Sequence, residues 1–494
     1  MALLQFQNVS FAYEGSYDDV FTDVSFQVDT GWRLGLIARN GRGKTTLLRI
    51  LAGELTAHGK MTMPLRPVLF PFMIEDVQQT ASDILLQLAQ DGPPWRVMAE
   101  ANQLALDPDV LARPFSTLSR GEQTKVQLAA LFAREDTFPL IDEPTNHLDL
   151  RGREKVADYL SHKPGFLLVS HDRSFLNRCI THTLSLNRSS VMVQRGNYDT
   201  WERELERKNQ AEAAQNEHLK KEITRLKASA RKQADFSNKA EKGKFHVPES
   251  DVAAVDRGYM GARAAALMKR SLAAQAKIER DIAARRNLLK DVEQVGTLKL
   301  HPLAHPKERI VEVRNARIQY DIRTVCENIT FSVNRGECVA LTGPNGCGKS
   351  SILKAICGQS DALQGELHMP GSLRISYVPQ STEHLQGTLD SFIAETSADE
   401  TLFKAILRNM DFGRQQFDKN ITQYSEGQKK KLLIARSLCD SAHLYVWDEP
   451  LNSIDVFSRV QVETLIQTYK PAMLLVEHDR AFLDRVCSNV IRLG

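Results

Sequence analysis

Long apolar stretches are missing. No run of about 18 apolar residues, the length a membrane-spanning helix needs, occurs anywhere in the 494-residue chain. The first residues, MALLQFQNVSFAY, also lack the basic segment and small-residue cleavage site of an export signal. Cysteine is sparse, with seven residues at 179, 326, 338, 347, 357, 439 and 487. None falls in a C-x-x-C pair and their number is odd, which excludes a zinc ribbon and a secreted disulfide framework and predicts a reducing, cytoplasmic setting. The 27 glycines and 18 prolines are too few for a collagen-like or low-complexity chain. Net charge is nearly absent, because 64 basic residues against 61 acidic ones leave +3, so total charge names no partner. What is present is a 42% hydrophobic, 25% charged composition. At roughly 150 residues per domain it predicts about three globular domains.

Internal repetition gives the architecture. ARNGRGKTTLL at 38–48 and GPNGCGKSSIL at 343–353 are two copies of one element. Tyr13 and Tyr320, Lys44 and Lys349, Ser119 and Ser425, Asp142 and Asp448, and His171 and His478 all pair at offsets of 305 to 307. Within each half, apolar runs (LGLIA, FLLVS, CVALT, AMLLV) alternate with helical patterns, the mark of a parallel sheet flanked by helices. The expected fold is therefore α/β, with two tandem P-loop domains at 1–198 and 306–494. The segment 199–305 between them is rich in Ala, Lys, Arg, Glu and Gln and is expected to be a separate element.

GPNGCGKS fits the phosphate-binding pattern G-x-x-x-x-G-K-[ST] in full, between a strand-like and a helix-like segment. Glycines Gly343, Gly346 and Gly348 let backbone N–H groups, including that of Asn345, curl round phosphates without Cβ clashes. Lys349 supplies a charge to the terminal phosphates, Ser350 a hydroxyl to Mg²⁺ with Ser351 beside it, and the helix start a favourable dipole. In the first copy Asn40, Gly41, Gly43, Lys44, Thr45 and Thr46 hold the matching places, but Ala38 replaces the opening glycine. If that position requires a positive φ, alanine strains the loop by about 1 kcal/mol or more. Downstream, FPLIDEPTNHLD and HLYVWDEPLNSID end apolar stretches in acids. Asp142 and Asp448 are candidate Mg²⁺ ligands, and Glu143 and Glu449 candidate bases for an attacking water.

These motifs together resemble the ATP-binding cassette superfamily. The resemblance implies that LSRGEQ (118–123) and YSEGQ (424–428) are signature motifs, with Ser119, Gly121, Ser425 and Gly427 facing nucleotide held by the opposite half. It further implies that His171 and His478 contact the γ-phosphate, that Tyr13 and Tyr320 stack on adenine, and that Gln380 in YVPQ touches Mg²⁺ and nucleotide. The implied activity is ATP hydrolysis with ATP and Mg²⁺ as ligands. In the first half Phe72 stands where that glutamine would be, with Gln78 and Gln79 out of register. The Lys44 site is accordingly expected to hydrolyse more slowly than the Lys349 site.

The intervening segment predicts two antiparallel helices. One starts at a capping-box-like Asp199 and Glu202 and runs to about Lys232, the other spans about 261–295, and the tip lies at about 234–261. From Lys220 to Lys290 there are 18 basic and 8 acidic residues, a net of +10, so the rest of the chain carries −7. A basic arm on acidic cassettes points to nucleic acid. Lys239, Lys242 and Lys244 interleaved with Phe245, His246 and Tyr259 suit single-stranded or looped RNA.

Two fused cassettes, a helical hairpin linker and no membrane segment resemble the ABC-F family. That likeness implies a cytoplasmic, monomeric ATPase whose closed form binds the ribosomal exit site, its arm (220–290) reaching large-subunit RNA and P-site tRNA. The first cassette has no insertion between loop and signature, 75 residues against 76 in the second, and 16 residues follow His478. This compact form, with KAEKGKFHVP and GARAAALMKRS in the tip, resembles the Lsa-type antibiotic-resistance group. That group protects ribosomes against lincosamides, pleuromutilins and streptogramin A drugs. The alternatives are a housekeeping translation factor and a DNA-maintenance ATPase, the latter disfavoured by the cysteine spacing.

Overall fold

The computed structural model describes residues 2–14, 19–146, 148–186, 191–242, 296–320, 323–396 and 398–493. The chain divides into two compact units, Met1–Trp201 together with Val295–Gly494, and Glu202–Gln294.

The first cassette begins with β1 (Leu3–Phe11) and β2 (Phe21–Asp29), an antiparallel pair that β4 (His58–Thr62) extends on the other side of β1. Between them β3 (Arg33–Ala38) leads into α1 (Lys44–Leu51). After β5 (Arg66–Phe70) come α2 (Ala81–Ala89), α3 (Pro94–Gln103), α4 (Pro108–Leu111) and α5 (Arg120–Ala133). The half closes with β6 (Thr137–Asp142), α6 (Leu150–Ser161), β7 (Phe166–Val169), α7 (Arg173–Cys179), β8 (His182–Leu186) and β9 (Val191–Arg195). The second sheet runs β5-β6-β7-β3-β8-β9, parallel except for β9. Helices cover both faces, so Phe138, Leu140, Phe166 and Leu168 are fully buried and these strands read as unbroken apolar runs rather than alternating ones.

The second cassette repeats this order. An antiparallel sheet joins β10 (Arg309–Tyr320) to β11 (Arg323–Asn334) and to β13 (Leu363–His368). A parallel sheet β14-β15-β16-β12-β17 is formed by β12 (Cys338–Thr342), β14 (Ile375–Val378), β15 (Leu444–Asp448), β16 (Met473–Val476) and β17 (Asn489–Arg492). Its helices are α9 (Lys349–Ile356), α10 (Leu389–Thr396), α11 (Glu400–Asn409), α12 (Glu426–Cys439), α13 (Val456–Tyr469) and α14 (Arg480–Val486). Trp447, on the interior strand β15, is fully buried and donates Nε1 to Ser437 Oγ at 2.9 Å, which satisfies its one polar side-chain atom. The expected α/β pair of P-loop cassettes is what the chain forms.

The helix α8 (Tyr198–Lys242) opens the intervening segment. It differs from expectation at both ends. Asn197, not Asp199, receives the Thr200 N–H at 3.2 Å, while Asp199 takes a 2.7 Å bond from Asn177 Nδ2. At the far end the helix continues about ten residues beyond Lys232, because QADFSNKAEK holds no glycine or proline before Gly243 to break it. The residues 234–242 assigned to the tip are therefore helical. The second expected helix, 261–295, and Lys244, Phe245, His246 and Tyr259 lie outside the described residues. Among the described residues no helix is long and apolar enough to cross a membrane.

Candidate functional site: two composite nucleotide sites

Each phosphate loop leaves a buried parallel strand and turns into a helix through a glycine. Gly43 (φ 84°) and Gly348 (φ 91°) stand in the left-handed region at the caps of α1 and α9, where a side chain would be strained. A Cβ on Gly43 would also meet Val20 Cγ1 at 2.6 Å. The opening positions differ. Gly343 has φ 155° and a Cβ there would meet Leu493 O at 2.5 Å, whereas Ala38 ends β3 without a positive φ. The strain expected at Ala38 is thus absent, because the first loop leaves its strand along a different path. Lys44 Nζ donates to Ala38 O (3.0 Å) and Asn40 Oδ1 (3.1 Å); Lys349 Nζ donates to Gly343 O (2.9 Å) and Pro344 O (2.8 Å). Both ammonium groups are held over their loops.

The signature segments form helix starts. Ser119 caps α5 and Ser425 caps α12, each with a reciprocal capping box to Glu122 or Gln428. Free N–H groups and the helix dipole at such a start favour phosphate. Both starts lie across from the opposite cassette's loop. A cavity of ≈ 960 Å³ is lined by Ser119 and Gly121 together with Tyr320, Asn345, Gly346, Gly348, Lys349, Ser350, Ser351, Gln380, Glu449 and His478. A second, of ≈ 780 Å³, is lined by Ser425 and Gly427 together with Tyr13, Asn40, Gly41, Gly43, Lys44, Thr45, Thr46, Asp142, Glu143 and His171. Gly427 is packed so tightly that a Cβ would meet Ser453 O at 2.2 Å and Asn40 Nδ2 at 2.6 Å. Of the candidate residues, Gly343 and Asp448 are absent from the walls of the larger cavity. Gly343 instead meets a neighbouring groove along α14.

Tyr13 and Tyr320 are 43% and 47% exposed, which leaves ring faces free for a base. Their hydroxyls are pinned to the loop helices, Tyr13 to Thr46 Oγ1 at 2.9 Å and Tyr320 to Ser351 Oγ at 2.7 Å.

At the strand ends, Asp142 accepts from Thr45 Oγ1 at 3.2 Å, and both carboxylate oxygens of Asp448 are buried without a hydrogen-bond partner. Burial pushes the Asp448 carboxyl up to about 6, with the Ser350 hydroxyl opposing. A buried carboxylate next to the Ser350 hydroxyl is a hard-oxygen donor set, and it fits a magnesium ion. The adjacent glutamates both occupy the left-handed region, Glu143 at φ 49° and Glu449 at φ 47°, each fixed by its N–H to Val169 O or Val476 O at 2.9 Å. Strain held in this way is typical of functional positions. Each glutamate Oε1 lies 3.3 Å from Nε2 of its histidine, His171 or His478.

The two sites are electrostatically unlike. Burial pushes Glu143 up to about 8, the Asp142 carboxylate adds to it, and Lys44 and Arg459 of the other cassette only partly oppose. Burial also acts on Glu449, but His478, Gln380 and Lys430 outweigh it and hold the carboxyl at about 2. Burial, with Lys44 next, keeps His171 well below the ordinary histidine range, so it offers Glu143 no charge. The sequence differences behind this are Phe72 for Gln380 and Thr124 for Lys430.

Several lining residues escaped the sequence reading. Gln127 of α5 faces the smaller cavity and its Oε1 accepts the Phe72 N–H at 2.9 Å, so a helix side chain enters where the second cassette uses a loop glutamine. Phe72 itself points away and packs under the Arg134 guanidinium at 4.8 Å. Asn146 and Ser453 follow the glutamates and line the cavities; the N that DEPTN shares with DEPLN could have marked Asn146, whereas nothing in either motif marks Ser453. On the Lys44 side Asn40 Nδ2 donates to Ser453 O at 3.0 Å. Arg39 and Arg42 lie 3.7 and 3.8 Å from Asp411, and Arg39 stacks 5.0 Å from the Phe457 ring centre.

Residues 21–146 and 326–452, half of the sequence, match the ABC transporter family. The chain belongs to the ABC transporter family. It is accordingly an ATPase with two ABC cassettes in one chain. This ABC protein is 29% identical to the ribosome protection protein VmlR of Bacillus subtilis over 490 residues, 98% of this chain and 85% of that one. It is 29% identical to the ATP-binding protein Uup of Caulobacter vibrioides over 489 residues (96% and 74%), and 24% identical to the energy-dependent translational throttle protein EttA of Escherichia coli over 527 residues (96% and 89%). Among solved structures, the RNase-L inhibitor superposes with a TM-score of 0.62 at 19% identity, covering 98% of this chain and 87% of that one. An archaeal ribosome recycling factor, aABCE1, gives 0.61 at 19% identity (95% and 84%). At that identity the structural likeness shows the tandem-cassette fold alone.

Proposed function

We propose that this chain is an ABC-F ATPase that binds the ribosome and protects its large subunit from peptidyl-transferase-centre antibiotics of the lincosamide, pleuromutilin and streptogramin A type, as in the Lsa-type group. The observation that carries this reading is the similarity to a ribosome protection protein along 98% of the chain, the segment between the cassettes included. In this assignment residues 1–198 and 306–494 are the cassettes and 199–305 the hairpin linker. ATP and Mg²⁺ bind at the two interfaces, with Thr45 and Asp142 at one and Ser350, Gln380 and Asp448 at the other as metal ligands. Glu143 and Glu449 act as bases, and His171 and His478 sense the γ-phosphate.

The mechanism is mechanical. ATP favours the closed sandwich, the closed form docks its basic arm on large-subunit RNA and P-site tRNA in the cytoplasm, and the tip reshapes the drug pocket. Hydrolysis then reopens the cassettes, so the difference in ATP affinity between closed and open states sets the work available. The protein acts as a monomer, since both halves of each site come from one chain.

The test is expression in a drug-sensitive bacterium. Inhibitory concentrations of lincosamides, pleuromutilins and streptogramin A drugs rise at least fourfold for the wild type, on the order of a steady-state shift in drug occupancy of about 0.8 kcal/mol. They do not rise for a Lys44→Ala, Lys349→Ala variant. No rise for any large-subunit drug, with ribosome binding intact, favours the housekeeping role suggested by the similarity to EttA.

A further inference from the structure

The second cassette places two of its cysteines against each other. Cys338, the first residue of β12, is 5% exposed, and its Sγ lies 3.4 Å from Sγ of the half-buried Cys487, which follows α14. The backbone around them is fixed. The Ser488 N–H and hydroxyl both donate to Cys338 O, at 2.9 and 3.0 Å, and β12 runs parallel to β17 with Val339 beside Asn489. Neighbouring strands lie about 4.8 Å apart, inside the Cα separation of about 4.4–6.8 Å that a disulfide spans.

The first cassette builds the same joint without sulfur. The Thr181 N–H donates to Arg33 O at 2.8 Å, as that of Ser488 does to Cys338 O, but Arg33 and Ile180 stand where Cys338 and Cys487 stand. The two cysteines are 149 residues apart in the chain, so no local motif marks them. Both pack against the apolar core of the second cassette, where cysteine serves as a small hydrophobic residue. Packing alone asks for no contact between sulfurs, and one of these two is partly open to solvent. The neighbouring Cys487 sulfur, together with burial, holds the Cys338 thiol well above the ordinary cysteine range. Cys487, the more exposed of the two, is therefore the one that meets an oxidant first.

We propose that Cys338 and Cys487 form a redox-sensitive modification site: a small-molecule disulfide of the oxidised-glutathione class converts them to a bridge that staples the second cassette. The Cys487 thiol loses its proton and the thiolate attacks one sulfur of the small disulfide, whose S–S bond breaks and releases one small thiolate. The Cys338 thiol then loses its proton and attacks Cys487 Sγ, which forms the Cys338–Cys487 bond and releases the second small thiolate. Two protein thiols give up two electrons and two protons, and two small thiols take them up. The bond draws the sulfurs from 3.4 Å to about 2.05 Å. The loop it closes, 338–487, contains Lys349, Ser425, Asp448, Glu449 and His478, so it restrains the unfolded form of most of the cassette. The nucleotide machinery is spared, because Cys338 begins β12 and the phosphate loop leaves the other end of that strand, about 13 Å away at about 3.3 Å per residue. The inference goes beyond the functional reading above and does not depend on ribosome binding.

The test incubates the full chain with oxidised glutathione at pH 8, counts free thiols after denaturation, and locates the bridge by peptide mapping without reductant. The expected count falls from seven to five, with Cys338 and Cys487 in one crosslinked peptide pair. The thermal midpoint rises by at least about 4 °C, the ATPase rate stays within about twofold, and dithiothreitol reverses the shift. Cys487→Ser keeps its six thiols and shows no shift, and Cys338→Val stops at a mixed disulfide on Cys487. Should either substitution destabilise the fold, the crosslinked peptide from the wild type still decides. A count that stays at seven, a bridge between other cysteines in place of this one, or a glutathione adduct on Cys487 that never closes overturns the proposal. So does a bridge that forms with the midpoint unchanged or lowered, or with the ATPase rate reduced by more than about twofold, because the pair then does not staple a working cassette.

Discussion

Replacing Glu449 by glutamine is expected to cost far more turnover than replacing Glu143. At pH 7 a carboxyl held at about 8 is ionised in roughly one molecule in eleven, whereas one held at about 2 is fully ionised. The base at the Lys349 site is therefore available about ten times as often. A positioned general base contributes about 10²- to 10⁴-fold, so each substitution silences its own site. Glu449→Gln then leaves about a tenth of the steady-state ATPase rate, and Glu143→Gln leaves about nine-tenths. The pH dependence follows with a definite sign, because the base works only when deprotonated. In the Glu449→Gln protein the residual rate rises about fivefold from pH 7 to pH 8, as the ionised share of Glu143 climbs from roughly 9% to 50%. The Glu143→Gln protein shows no such rise. Phosphate release measured across pH 6 to 9 on both variants decides the matter, and equal defects at pH 7, or a flat residual profile in the Glu449→Gln protein, refute the reasoning.

Other expectations rest on contacts between and within the cassettes. Gly427→Ala places a Cβ 2.2 Å from Ser453 O and 2.6 Å from Asn40 Nδ2 at the Lys44 site, so it is expected to leave about nine-tenths of total turnover but to abolish the residual rate of the Glu449→Gln protein, read by the same assay. Asp411→Lys reverses the charge facing Arg39 and Arg42 and is expected to raise KM for ATP a few-fold; adding Arg39→Glu and Arg42→Glu to that variant restores it in part. The Lys431–Asp455 pair, 2.6 Å apart and almost fully buried, is expected to show about 3–5 kcal/mol of destabilisation in Lys431→Met, measured by urea unfolding at pH 7. Burial acts to raise Asp455, but Lys431 outweighs it and holds the carboxyl below its ordinary 3.8, so the pair's contribution is present above that value and fades as pH falls below it. Lys431→Met with Asp455→Asn recovers most of the loss.

Repetition and spacing made the fold legible. A motif that recurs at an offset of 305 to 307 residues is constrained twice, and the apolar runs LGLIA, FLLVS, CVALT and AMLLV became β3, β7, β12 and β16 because strands buried on both faces need no alternation. Local geometry was less legible. Whether Ala38 must take a positive φ depends on where the chain goes next, and the first loop avoids the need by leaving its strand differently from Gly343. Gln127 and Lys430 read as ordinary polar residues of helices. Their importance comes from burial next to the other motifs, which only the packed structure supplies. The cap of α8 moved from Asp199 to Asn197 because several side chains near a helix start can serve, and the choice between them is tertiary. The difference between the two candidate sites was visible at Phe72, but its electrostatic size arose from the burial of Glu143 and from His478, Gln380 and Lys430 around Glu449, of which Lys430 is marked by no motif.

The central claim is that ATP drives this chain onto the ribosome, and the most direct measurement is co-sedimentation of the Glu143→Gln, Glu449→Gln protein with ribosomes in ATP at two salt concentrations. The account predicts that the protein pellets with ribosomes in ATP but not without nucleotide, and that raising salt from 50 to 200 mM weakens retention, as a basic arm on RNA requires. Absence from the pellet with ATP binding confirmed would contradict it.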